Sequence, residues 1–153
     1  MHLRRPSVDE LPEISALCMR SKAHWGYDDA FLRACRDELT FGPTSLADGE
    51  MWVLDVDDTI VGTVQVEVSD REGELLKLFI DPDSMGQGYG RVLFDWSVSV
   101  LRESGARTMV IEADPDAEPF YRRMGAVPAG TAPSGSIPGR MLPRLELRLK
   151  EAA

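Results

Sequence analysis

"LFIDPDSMGQGYGRVLFDW", residues 78–96, carries an apolar strand end into a turn with glycines at 86, 88 and 90, and then into an amphipathic stretch. Val92, Leu93, Trp96, Val100 and Leu101 recur at helical spacing, which predicts a helix of three to four turns ending near Ser104 and Gly105. "TMVIEA" (108–113) then reads as a buried strand, so strand, glycine turn, helix and strand form a βαβ unit. Glycines let consecutive backbone N–H groups converge, and the following helix adds its unpaired N–H groups and the positive end of its dipole. Met85, Gly86, Gln87, Gly88, Tyr89, Gly90 and Arg91 therefore predict a pyrophosphate cradle. The spacing G-x-G-x-G followed by Arg91 and Val92 lacks the Gly-Lys-Ser/Thr ending of a Walker loop and the G-x-G-x-x-G of a dinucleotide fold. ATP and NAD are disfavoured.

At the start of the chain "HLRR" (2–5) reads as a short first strand, and Ser7 with Glu10 forms a capping box. Leu11, Ile14, Leu17 and Cys18 mark the helix that follows, and "DDAFLRACRDELT" (28–40) marks a second, broken by "FGPTS". Three strand-like runs come next, at 51–56, 59–68 and 74–80, and the short polar turns between them predict an antiparallel meander. Past the βαβ unit, "AEPFYRRM" (117–124) reads as a short helix, "GAVPA" (125–129) as a strand start and "RLELRL" (144–149) as a closing strand. "AGTAPSGSIPGRMLP" (129–143), rich in Gly, Pro and Ser, reads as a long loop between them. The expected fold is α/β of the α+β kind, with a mixed, mostly antiparallel sheet and helices on both faces. Neither a repeat nor a linker interrupts the chain, so residues 1–153 are expected to form a single domain.

Seventeen basic against 26 acidic residues give a formal charge of −9, which disfavours nucleic acid and anionic membrane and favours cationic small molecules. No apolar run approaches the roughly 20 residues of a membrane span, and residues 1–6 lack the apolar core of a signal peptide. A cytoplasmic protein is expected. Cys18 and Cys35 read as reduced, packed thiols, and with His2 and His24 they are too scattered for a metal centre.

The opening stretch resembles the acetyl-CoA motif of the GNAT superfamily of N-acetyltransferases, V-x-P-x-x-R/Q-x-x-G-x-G/A. Ile80, Pro82, Gly88 and Gly90 match it, and Met85 stands where the family has Arg or Gln. A later family pattern, N-x-x-A-x-x-x-Y-x-x-x-G, is met by Asp114, Ala117, Tyr121 and Gly125, with Asp114 in place of Asn. The resemblance implies acetyl-CoA as donor, its pantetheine arm lying between the splayed parallel strands "KLFI" and "MVIEA" along the backbone of Leu78, Phe79 and Ile80. It places Asp114 and Ala117 at the cofactor and makes Tyr121 the general acid that protonates the CoA sulfur. It also implies a homodimer paired through the late strands.

For the base, Glu67 and Glu112 each lie in a strand, where burial would raise a carboxylate toward the operating range, and Glu112 is the better placed; a water chain is the alternative. "SKAHWGYDD" (21–29) falls where the family has its acceptor-facing loop, so His24, Trp25, Tyr27 and Asp28 are acceptor-wall candidates, or else packed connection residues. Arg140, in the "SGSIPGR" loop, either binds a substrate carboxylate or pairs with a surface acid. In the first case an amino acid or similar zwitterion fits; in the second, a polyamine-like or aminoglycoside-like cation. The expected activity is direct N-acetylation of the primary amine of a small molecule. The competing readings are an acyl-CoA-binding module without catalysis, and a protein acetyltransferase, which would need an open peptide groove.

Overall fold

A computed structural model describes residues 1–47 and 49–150. Seven strands form one sheet: β1 (His2–Arg4), β2 (Glu50–Val56), β3 (Thr59–Ser69), β4 (Glu72–Ile80), β5 (Thr108–Glu112), β6 (Val127–Pro133) and β7 (Met141–Arg148). Their spatial order is β1-β2-β3-β4-β5-β7-β6. Every neighbouring pair is antiparallel except β4 and β5. The helices are α1 (Leu11–Ala23), α2 (Asp29–Leu39), α3 (Tyr89–Glu103) and α4 (Glu118–Arg123).

The two faces carry separate apolar layers. Leu11, Ile14, Leu17 and Cys18 of α1 and Cys35 and Leu39 of α2 pack on Met51, Val53 and Ile60. On the opposite face Leu93, Phe94 and Leu101 of α3 and Tyr121 of α4 pack on Leu54, Val64, Val66 and Leu75. Gly62 and Gly73 let α3 lie close to the sheet: a β-carbon on Gly62 would fall 2.9 Å from Leu93 Cδ1, and one on Gly73 2.7 Å from Leu101 Cδ2.

The expected meander is present, and its first turn carries positive φ at both Asp57 and Asp58, matching the right-handed twist of the hairpin. The expected long loop is shorter than read. Its ends are strand, because Thr131, Ala132 and Pro133 pair with Pro143, Leu142 and Met141, leaving 134–140 as the connection. The prolines misled: β6 is an edge strand, where proline forfeits no obligatory ladder bond.

At the sheet's far edge, Arg4 grips Glu10 with two 2.8 Å hydrogen bonds and reaches Asp55 at 3.1 Å, tying β1 and the capped turn before α1 to β2. The Arg4 hydrogen bond, then that from the Ser7 backbone N–H, holds the Glu10 carboxyl at about 2, below its usual 4.5. A lowered carboxylate stabilises the fold fully above its unfolded value and ceases to do so as pH falls through its folded one. Glu10→Gln is expected to cost about 1 kcal/mol at pH 7 after solvent screening, lowering Tm by roughly 2–4 °C. At pH 2 the thermal melts of variant and parent should converge; an equal gap at both values would remove the ion pair as the cause.

Candidate active site

The site begins with one extra residue. Gln65 pairs with Lys77 and Val66 with Leu75, so Leu76 is a bulge in β4. The parity of the residues facing α3 changes there: Gly73 and Leu75 before it, Leu78 and Ile80 after it. Pairing with β5 runs from Glu72↔Thr108 to Leu75↔Ile111 and stops at the bulge. Beyond it the two parallel strands part, and the edges of Leu76–Ile80 and Glu112 face a cleft of about 770 Å³. Backbone groups on those edges have no strand partner there and are available to a ligand.

One end of the cleft is the glycine turn. Gly86 and Gly88 sit at φ +81° and +84°, conformations that L side chains rarely adopt, and Gly88 is the N-cap of α3. The first bond of the helix runs from Val92 N–H to Gly88 O at 3.2 Å, leaving the N–H groups of Tyr89, Gly90 and Arg91 at the open end. α1, α2 and α4 each carry an acid in the first turn, Glu13, Asp29 and Glu118, whereas α3 carries none. The positive end of this helix is thus free to meet a foreign anion, with Arg91 and Arg123 also lining the cleft. This donor set fits a pyrophosphate.

Tyr121 lines the same cleft from α4 and is 7% exposed. Its ring packs edge-on against Phe120 and tilted against Phe94. Among the described residues its hydroxyl makes no hydrogen bond, yet no sealed side-chain oxygen is left without a partner, so the hydroxyl opens into the cleft. Burial, and then the charge of Asp114, pushes the phenol well above its usual range. It stays protonated at neutral pH.

Glu74 and Glu112 also line the cleft. Burial raises the Glu74 carboxyl, and the charges of Glu112, Glu67 and Glu72 add to it. Glu74 was missed in the sequence because it opens the run "ELLKLFI" and reads as a strand end; β4 in fact begins at Glu72, which places Glu74 opposite Val110 and beside the parting.

A polar cluster forms another wall. Lys22 Nζ donates to Asp114 Oδ2 at 2.8 Å, and Tyr27 Oη donates to Asp114 at 2.8 Å. Arg140 Nη2 donates to Tyr27 Oη at 3.0 Å and lies 3.9 Å from Asp114 Oδ2. Burial alone would raise the Asp114 carboxyl, but the hydrogen bond and charge of Lys22, with Tyr27 and the Asp116 N–H, bring it below its usual range. Across the cleft Glu38 accepts from Ser136 Oγ and from Lys77 Nζ, at 3.3 Å in the second case, joining the 134–140 loop to α2 and β4.

A family model for the acetyltransferase (GNAT) domain matches residues 47–125, more than half of the chain. The chain belongs to the GNAT acetyltransferase family. Solved structures share its fold. A PaiA N-acetyltransferase from Thermoplasma acidophilum in complex with coenzyme A superimposes with a TM-score of 0.79 at 15% identity, over 96% of this chain and 98% of that one. A GCN5-related N-acetyltransferase from Rhodopseudomonas palustris gives 0.82 at 18% identity, over 97% and 95%. YncA from Salmonella typhimurium, with its cofactor acetyl-CoA, gives 0.68 at 18%, over 100% and 96%. No curated protein matches the chain in sequence.

Within this GNAT domain the candidate residues separate. Leu78, Phe79, Ile80, Met85, Gly86, Gly88, Tyr89, Gly90, Arg91, Asp114, Ala117, Tyr121, Glu112, Trp25 and Arg140 line the cleft. Gln87, exposed, and Glu67, exposed on β3, lie outside its lining. His24 stands edge-on to Trp25 at 5.2 Å, also outside it. Asp28 is the N-cap of α2, accepting from Phe31 N–H at 2.8 Å, so its side chain serves the helix. Tyr27 reaches the site through Asp114 and Arg140. Asp114, matched to the cofactor motif, has its carboxylate engaged by Lys22 and Tyr27 and caps the turn Pro115–Ala117. Among the described residues there is no cluster of metal ligands, and no helix is long and apolar enough to cross a membrane.

Proposed function

We propose that the chain transfers an acetyl group from acetyl-CoA to the primary amine of a small molecule. The observation that carries this reading is a single cleft lined by the glycine cradle, the Tyr121 hydroxyl and the carboxylates of Glu74 and Glu112. Bound acetyl-CoA would supply an acetyl group activated as a thioester. The chain supplies the rest. The α3 N-terminus and the N–H groups from Gly86 to Arg91 hold the pyrophosphate, and the free edge at Leu78, Phe79 and Ile80 holds the arm. Met85 gives no charged donor, so backbone groups with Arg91 and Arg123 carry that load.

Tyr121 Oη holds the proton that the departing sulfur takes. Glu74 accepts the proton of the acceptor amine, with Glu112 as the neighbouring charge that keeps Glu74 basic. A small acceptor is favoured over a peptide because the 134–140 loop is bound to α2 through Ser136 and Glu38 and carries Arg140 to Tyr27.

Calorimetric titration with acetyl-CoA, followed by thiol release across a panel of amines, tests the reading. Binding without thiol release from any amine would reduce the protein to an acyl-CoA-binding module. For the base, Glu74→Gln is expected to lower kcat/KM about 100-fold and to abolish the acidic limb of its pH profile. Glu112→Gln removes a like charge and should shift that limb to lower pH; an unmoved limb in both variants excludes the pair.

A further inference from the structure

We infer that the acceptor is a small zwitterion, an amine that also carries a carboxylate, and that Lys22 and Arg140 bind the carboxylate. This rests on the acetyltransferase reading above and narrows it. The stacked rings of Tyr27 and Phe31, 3.9 Å apart, gather both cations: Arg140 lies 4.7 Å from the Phe31 centroid and Lys22 Nζ 5.5 Å from that of Tyr27. Both side chains are largely buried, at 16% and 20% exposure, and they share the one partly buried carboxylate of Asp114.

Two further acids lie near them: Asp116 is exposed and stands 3.5 Å from Tyr27 Oη, where water screens it, and Glu38, which meets the charge of Lys22, is nearly half exposed and already engaged by Lys77 and Ser136. The buried cluster therefore holds two cations and one anion, a surplus that a second carboxylate would neutralise. Arg140 engages only Nη2 with protein acceptors among the described residues, so Nε and Nη1 remain to form a forked pair with a ligand carboxylate. The same cleft presents Glu74 and Glu112, which attract the ammonium end. One wall is built for an anion and another for a cation, matching the two ends of an amino acid.

The test compares amino acids with their decarboxylated partners: leucine with isoamylamine, phenylalanine with phenethylamine, lysine with cadaverine and arginine with agmatine. Thiol release with acetyl-CoA should favour at least one amino acid over its partner amine by 100-fold or more in kcat/KM. Arg140→Gln should cut that ratio at least tenfold, through KM of the amino acid, while calorimetry shows acetyl-CoA affinity unchanged. Calorimetric binding of the N-acetylated amino acid, but not of the N-acetylated amine, gives the same answer without turnover. Equal or greater turnover of cadaverine or agmatine overturns the zwitterion and leaves the acetyltransferase reading standing. Thiol release from none of the eight, together with failure of the N-acetylated amino acids to bind, overturns the zwitterion; silence across the wider amine panel would overturn the activity itself.

Discussion

Tyr121→Phe is expected to lower kcat by about 10²- to 10⁴-fold while leaving the dissociation constant of acetyl-CoA within twofold of the parent. The deleted atom is the proton donor, and the ring that packs on Phe94 and Phe120 remains. Because the hydroxyl has no hydrogen-bond partner among the described residues, its loss orphans nothing, and the stability change should stay within about 0.5 kcal/mol. Stopped-flow thiol release and calorimetry separate the two readouts. Turnover within threefold of the parent would remove Tyr121 from the chemistry and leave it a core residue.

Gly88→Val is expected to weaken acetyl-CoA binding at least 100-fold. An L residue in the left-handed region costs roughly 1–2 kcal/mol, and a β-branched one more, so the backbone will relax by moving the N-cap of α3. That shift misaims the N–H groups of Tyr89, Gly90 and Arg91. Gly105→Val is the matched control: its φ is +88° and it follows the other end of the same helix. Both variants should lose a few degrees of Tm, and only the first should lose the ligand. Equal loss of affinity in both would mean that general destabilisation, rather than the cradle, governs binding.

Much of this architecture was legible because local chemistry and tertiary structure agree. The helix after the glycines, the meander and the Ser7–Glu10 capping box were readable from spacing alone, and each sits within a few residues of its expected place. The extent of β6 was hidden, since Pro128 and Pro133 argue against a strand unless it is known to be an edge. The site was readable wherever a motif encodes backbone conformation, as at Gly86 and Gly88. It was illegible where side chains from distant segments meet. Lys22 and Asp114 are 92 positions apart, and nothing local to either indicates the pair. Asp28 shows the converse: a titratable residue in the right loop is committed to capping a helix. Glu74 escaped because its surroundings depend on the register of three strands.

The bulge at Leu76 spends one residue of β4 on ending its pairing with β5. Deleting that residue would leave Leu78 and Ile80 toward α3 and Lys77 and Phe79 toward α1 and α2, because Lys77 and Leu75 already pair with the adjacent residues Gln65 and Val66. The β4 ladder would regain regular pairing, and the parting that opens the cleft would lose its cause. The segment from Glu74 to Asp81 is therefore fixed in length to the single residue, whereas the 134–140 connection is held by the side chains of Ser136 and Arg140 rather than by a strand register. A change of length in this fold would be tolerated in the 134–140 connection sooner than in β4.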